Sequence, residues 1–180
     1  LVGGLVMTHG DDQGLKLPPN VAPIQAVVVP IWRKPEERSA VLEFVDRVKE
    51  TLKGRVRLQV DANEQHSPGW KYNEYEMRGV PVRLEVGPRD VASGAVMSVR
   101  RDGRAKESIP IASLAERLPA LLAEIQAALF NPAVRFRDEN TVFAASLEEA
   151  EAHFASRRGY VAMVWEDDAK LEAELKTRTM

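Results

Sequence analysis

At 180 residues, with 44% hydrophobic and 29% charged side chains and a formal charge of −2, the chain suits one domain, or one and part of a second, with a real core. It has no cysteine, which excludes disulfides, thiolate nucleophiles and any cysteine-based zinc site within it. No apolar run approaches the roughly 20 residues of a bilayer span, and the first residues lack the basic start and small-residue cleavage site of a signal peptide, so the cytoplasm is the expected compartment.

The opening "LVGGLVMTH" reads as a strand-like apolar run and, lacking a cap or start methionine, as a cut edge. "GDDQG" is a turn, and "LKLPPNVAP" a proline-rich connector held extended, which places a domain boundary near Pro18 to Pro23. "IQAVVVPI", residues 24–31, is apolar on both faces and β-branched, as a central strand covered on two sides requires. From Glu36 onward Val41, Leu42, Val45, Val48 and Leu52 recur at helical spacing until Gly54 stops them, and "VRLQV" at 56–60 follows as a strand parallel to the first.

Turn signals bracket a short helix of about 70–78, on which Tyr72 and Glu76 lie four apart and share a face. Val80, Val82, Leu84 and Val86 then alternate with Pro81, Arg83 and Glu85, giving a strand with one core face and one polar face, followed by a Gly-Pro turn and a loop carrying Arg89 and Asp90. Strands near 95–101 and 105–109 are joined through "DGR". Ser113 and Glu116 have capping-box spacing, and Pro119 begins the longer helix toward Phe130, with Leu118, Leu121, Leu122, Ile125, Ala128 and Leu129 as its apolar stripe. The tail reads as a capped helix from Ser146 and Glu149 to Gly159, a strand at "YVAMVW" and a charged helix from about 167.

Charge is uneven. Residues 70–106 hold eight Lys or Arg against five acids, whereas residues 138–175 hold ten acids against three bases, so a polyanion would meet the first stretch and be repelled by the second. The interleaved aromatic, acidic and basic residues between 68 and 106 suit single-stranded nucleic acid, whose bases stack on aromatics and bond along their edges. Guanine offers O6 and N7 to arginine or lysine, and its N1 and N2 donors to a carboxylate. A surface holding Tyr72, Glu76, Arg83, Arg89 and Asp90 can therefore read guanines. The competing reading of the same residues is a salt-bridge lattice on an exposed sheet face. "THGDDQG" offers His9, Asp11 and Asp12 as a metal or hydrolase site, although Gly-Asp-Asp is common turn chemistry. No phosphate-cradling glycine loop and no readable Ser/His/Asp pattern is present.

Three blocks carry a resemblance: "GVPVRLEVGPRD", "PGWKYNEYEMRG" before it, and "VMTHGDDQGLKLPPNVAPIQAVVVPI" at the start. Together they closely resemble the prolyl-tRNA synthetases of the archaeal and eukaryotic-like type, well over residues 1 to about 138 and loosely beyond. The resemblance implies an α/β fold: residues 1–22 are the end of a class II catalytic domain and a linker, 23–130 an anticodon-binding domain with a mixed sheet flanked by helices, and 131–180 the start of a small α/β C-terminal domain. It also implies a parent proline–tRNA ligase, an aminoacyl-tRNA synthetase using ATP and Mg²⁺ and acting as a homodimer on proline tRNA. The class II motifs, including the ATP-contacting arginine of the third, are missing here, so the segment alone is expected to be inactive and to bind no cofactor.

Carried over position by position, Tyr72 falls where the family places a stacking aromatic, and Glu76, Arg83, Arg89 and Asp90 fall on base-contacting positions. A further basic contact is expected at Lys106 or Arg104, and Arg101 reads as a phosphate contact. "VWEDDAKLEAEL" stands where many members begin a cysteine zinc site, so zinc is not predicted, and Met180 does not match the terminal tyrosine of many members. The rival functions are a non-catalytic dimerisation or accessory module and the metal-dependent hydrolase built on His9, Asp11 and Asp12.

Overall fold

The computed structural model describes residues 2–164 and 168–179. By compactness the chain divides into Leu1–Leu129 and Phe130–Met180.

In the first unit an initial helix α1 (Val2–His9) leads into a two-residue hairpin, β1 (Gly10–Asp11) and β2 (Gly14–Leu15). A five-stranded sheet follows, built from β3 (Ala26–Pro30), β4 (Leu58–Val60), β5 (Val82–Val86), β6 (Ala95–Arg100) and β7 (Lys106–Pro110). Its order is β4-β3-β5-β6-β7; β3 pairs parallel with β4 and β5, while β5, β6 and β7 are mutually antiparallel. Helices α2 (Arg38–Leu52), α3 (Pro68–Met77), α4 (Pro88–Ser93) and the part of α5 (Ile111–Glu139) up to Leu129 also belong to this unit.

Alternation along the strands divides the sheet into unequal faces. One face buries Ala26, Val28, Val82, Leu84, Val86, Val96 and Ile109 against Val41, Phe44, Val45, Val48 and Leu52 of α2 and Leu114, Leu118, Leu121, Leu122 and Ile125 of α5. On the other face Val27 and Val29 pack against Tyr75 and Val80, with Tyr72 and Ile24 alongside, and Ala95 and Val99 are buried as well. At about 1.5–3 kcal/mol per buried large aliphatic side chain, the first face supplies most of the hydrophobic stabilisation. The second is left able to carry charged residues.

Several elements depart from their sequence reading. Residues 2–9 are helical rather than strand-like, because a short apolar run has no periodicity that distinguishes the two. The segment after Gly87 is a helical turn rather than a loop: Pro88 occupies the first helical position and the Asp90 carboxylate accepts the Gly87 N–H at 2.8 Å. Pro119 does not begin α5; it lies inside a helix that starts at Ile111, because burying Leu114 extends the apolar stripe one turn upstream. The Ser113 hydroxyl accordingly donates back to the Pro110 carbonyl at 3.1 Å instead of capping.

The connector between hairpin and sheet is pinned. Arg57 donates to the carbonyls of Ala22 and Pro19 at 2.8 Å each, and Ala22 is fully buried. The hairpin itself sits against the end of α3: a Cβ on Gly14 would approach Met77 Cα to 2.4 Å, and one on Gly79 would approach Leu15 Cβ to 2.6 Å.

In the second unit β8 (Thr141–Phe143) pairs parallel with β9 (Tyr160–Ala162), and α6 (Leu147–Ser156) connects them. The Ser146 hydroxyl accepts the Glu149 N–H at 3.3 Å, the half of the capping box made at the N-cap, while the Glu149 carboxylate reaches one residue further back and accepts the Ala145 N–H at 2.8 Å. Strand β8 has no counterpart in the sequence reading, since three residues are too few for a pattern. Helix α7 (Ala169–Thr179) follows; the expected strand end at Trp165, the helix start near 167 and Met180 lie outside the described residues.

Gly54 and Gly79 share a left-handed backbone, φ +71° and +73°, but a side chain would meet open space at Gly54 and Leu15 and Leu17 at Gly79. Gly54→Ala is expected to cost about 1–2 kcal/mol and Gly79→Ala about 2–5 kcal/mol, because crowding adds to the backbone strain. Urea unfolding of both variants checks this; equal losses would show that the hairpin is not packed as described.

Candidate nucleic-acid interface

The second face of the sheet is where the charged candidates gather. Ser67 caps α3 by accepting the Trp70 N–H at 3.3 Å, and this fixes the phase of a helix whose positions 72, 75 and 76 are turned to the sheet. On β5 the pleat that buries Val82, Leu84 and Val86 sends Arg83 and Glu85 to the same side as Tyr72 and Glu76.

Arg83 is the junction. Its guanidinium carbon lies 3.9 Å from the centre of the Tyr72 ring; one terminal nitrogen donates to Glu76 Oε1 at 2.9 Å, and Nε donates to Glu85 Oε1 at 3.0 Å. With its side chain only 11% exposed, this is a partly desolvated cation between two carboxylates and an aromatic face. Arg104, 57% exposed, adds a second cation 3.5 Å from Glu76 Oε2 and donates to the Gln13 side chain. The Tyr72 hydroxyl is pushed up to about 12, first by burial and then by the Glu85 carboxylate, with Asp90 adding a smaller effect of the same sign. It therefore remains a protonated donor throughout the physiological range.

Register extends the surface across the antiparallel strands. Arg83 stands opposite Val99 and Val99 opposite Lys106; Glu85 stands opposite Met97 and Met97 opposite Ser108. Directly opposed residues share a face, so the exposed Lys106 and Ser108 lie on the Arg83 side two strands away.

Of the residues expected from the sequence, Tyr72, Glu76 and Arg83 form one contact network. Lys106 lies on the same face, two strands from Arg83, and Arg104 borders the network through Glu76. Arg89 and Asp90 lie apart, on the first turn of α4 beyond the end of β5, with Arg89 exposed and one Asp90 oxygen committed to Gly87. The lattice of ion pairs expected as the competing reading is present, and it is made by the base-reading candidates Glu76 and Arg83 together with Glu85 and Arg104. Glu85 belongs to the network, and the strand alternation at 82–86 is the signal that identifies it; Gln13 leaves no such signal.

Two expectations are corrected. Arg101 is not a phosphate contact: its side chain is 5% exposed, donates to both Asp11 oxygens at 2.6 and 3.1 Å, and reaches the Glu76 carbonyl at 3.2 Å. The same pairing removes the hydrolase reading of His9, Asp11 and Asp12, because Asp11 is bound by Arg101 and by Lys16 at 3.3 Å. No three His, Asp or Glu among the described residues converge as a metal site.

Residues 25–121 match the family model described as the anticodon binding domain, and this match spans more than half of the chain. The chain belongs to that family. Over 182 residues it is 47% identical to the proline–tRNA ligase of Chloroflexus aggregans, with 99% of this chain and 38% of the relative covered. It is 44% identical over 176 residues to proline–tRNA ligase 2 of Bacillus cereus, covering 98% of this chain and 36% of the relative. The crystal structure of prolyl-tRNA synthetase from Cryptosporidium parvum, complexed with L-proline and AMP, matches with a TM-score of 0.79 and 36% identity over 99% of this chain and 38% of that one. This anticodon-binding domain and its flanking residues thus span about 38% of the length of such relatives.

The Arg101–Asp11 pair also makes a prediction about pH. Hydrogen bonds from Arg101, from the Gln13 N–H and from Lys16 hold the Asp11 carboxyl well below its ordinary range. A depressed folded pKa gives stability that is complete above the unfolded pKa of about 3.9 and is lost as pH falls toward the folded value. Asp11→Asn is therefore expected to lower the urea midpoint at pH 7, with the gap to wild type narrowing below about pH 4. An unchanged gap at pH 3 would contradict the ionic character of the contact.

Proposed function

We propose that this chain recognises the anticodon of proline tRNA as part of a prolyl-tRNA synthetase, whose complete reaction is the ATP-dependent ligation of proline to tRNA. The observation that carries the reading is the concentration of Tyr72, Glu76, Arg83 and Glu85 on the lightly packed sheet face of an anticodon-binding domain. Residues 1–22 are the end of the preceding catalytic domain and its linker, 23–130 the anticodon-binding domain, and 131–180 the start of a C-terminal domain.

Proline anticodons end in two guanines, and the site's chemistry suits that base. Tyr72 offers a ring for stacking and a hydroxyl that stays protonated at physiological pH; Glu76 and the uncommitted oxygen of Asp90 accept from guanine N1 and N2; Arg83 and Arg89 donate to O6 and N7. Because Arg83 is already paired, a guanine must replace an internal ion pair bond for bond. A base with the wrong edge then leaves a carboxylate or guanidinium unpaired, which is how polar sites discriminate strongly. Lys106, exposed on the same face, holds loop phosphates and positions the RNA without reading it.

Among the described residues no three His, Asp or Glu converge as a metal site. We assign ATP, Mg²⁺ and proline to parts of the enzyme outside these residues, and dimerisation to its catalytic domain. Among the described residues no helix is long and apolar enough to cross a membrane.

The test is binding of a proline anticodon stem-loop at fixed salt, beside loops with each guanine replaced in turn. Wild type is expected to prefer the double guanine, and Glu76→Ala to lose about 1–3 kcal/mol of discrimination at one position. Lys106→Ala should instead weaken every loop alike and reduce the salt slope by about 1. Equal losses on matched and mismatched loops in the Glu76 variant would remove it from the readout.

A further inference from the structure

Beyond the sheet face, the carboxyl ends of the parallel strands carry a second feature. Chain order runs from β3 outward to β4 and then back across to β5, so α2 and α3 leave on opposite faces of the sheet. This reversal opens a crevice past the ends of β3 and β5, the place where open α/β sheets bind ligands. Here it is a cleft of about 440 Å³ whose lining includes Trp32, Arg33, Glu37, Gly87, Arg89 and Asp90.

Its chemistry is that of a site for an anionic, planar ligand. Trp32 is partly buried against the main core, and the Arg38 guanidinium lies 5.8 Å from the centre of its ring, so the indole is held rather than free. The two carboxylates of the cleft are turned to their own backbone: Glu37 accepts the N–H groups of Arg33 and Lys34 at 3.0 and 3.2 Å, and Asp90 accepts that of Gly87. These bonds order the loops on either side of the cleft. Among the described residues neither Arg33 nor Arg89 forms a salt bridge, whereas Arg83, Arg100, Arg101 and Arg117 all do.

We infer that Trp32 and Arg33, beside the Arg89 of the guanine site, form a further nucleotide subsite that takes the single-stranded RNA residue flanking the guanine pair, with Trp32 stacking on its base and Arg33 holding its phosphate. The inference rests on the anticodon reading above and extends it past the bases that reading names. Continuity supports it: the Asp90 carboxylate helps to raise the pKa of the Tyr72 hydroxyl and also lines the cleft beside Trp32, so one residue borders both places. Stacking on Trp32 tolerates any base, because every base has a π-face. The subsite therefore adds affinity and direction along the strand without adding sequence preference.

The experiment uses the whole chain and stem-loops carrying the two guanines, intact or with a single abasic residue at each other loop position in turn. Trp32→Ala is expected to weaken the intact loop by about five- to hundredfold, the range of one base–aromatic stack. Trp32→Phe, which keeps a ring against the core, should stay within about threefold of wild type. On the loop that is abasic beside the guanines, the Trp32→Ala loss should fall below about twofold, the two deletions removing one contact. Arg33→Ala, at an exposed position that leaves the core untouched, should weaken all loops alike. A Trp32→Ala loss that persists on every abasic loop, or no loss at all, overturns the subsite. Indifference of wild type to the guanines, or failure to bind any loop, instead overturns the anticodon reading and the subsite with it.

Discussion

The structure depends on residues 26–30, a strand buried on both faces. Its register with β4 and β5 is parallel, and because Val27 and Val29 stand opposite Arg83 and Glu85, the burial of β3 decides which way those charged side chains face. A slip of one residue would turn Arg83 and Glu85 into the aliphatic layer beneath α2 and α5. The main core therefore stabilises the fold and also determines the polarity of the opposite surface.

That surface is electrostatically crowded but nearly satisfied. Glu76, Arg83 and Glu85 form a bridged triad, with Tyr72 beneath the guanidinium and Arg104 outside it. A triad of this kind holds its own geometry in the absence of ligand, so less ordering remains to be done when RNA arrives. On the proposed reading, binding would exchange partners of similar strength, and selectivity would come from mismatches that leave a group unpaired.

Legibility in the sequence followed the sequence separation of the determining contacts. The mixed sheet was readable strand by strand because apolar alternation is local, and the Tyr72–Glu76–Arg83 cluster was readable because helical spacing and strand alternation each placed its members. Resemblance to the synthetases supplied the candidates that spacing alone left ambiguous. Arg101 was misread because Asp11, its partner, lies 90 positions earlier, and no local pattern says that a charged residue after a strand is buried. The start of α5 was misread because proline chemistry suggested Pro119 and burial of Leu114 prevailed. Trp32 showed no pattern at all; its significance comes from standing at the end of the strand where the chain reverses direction across the sheet.

The junction at Gly14 and Gly79 has a mechanical meaning. Each glycine meets the opposing segment at a distance that leaves no room for even a methyl group, and the Leu17 N–H donates to the Gly79 carbonyl at 3.2 Å across the same seam. A hinge needs clearance to turn, and this joint has none. Residues 10–17 therefore move with the end of α3 as one body, and a displacement of Glu76 is transmitted to the hairpin rather than absorbed between them. The chain at His9 is thereby given a fixed heading, set by the same helix that presents Tyr72 and Glu76.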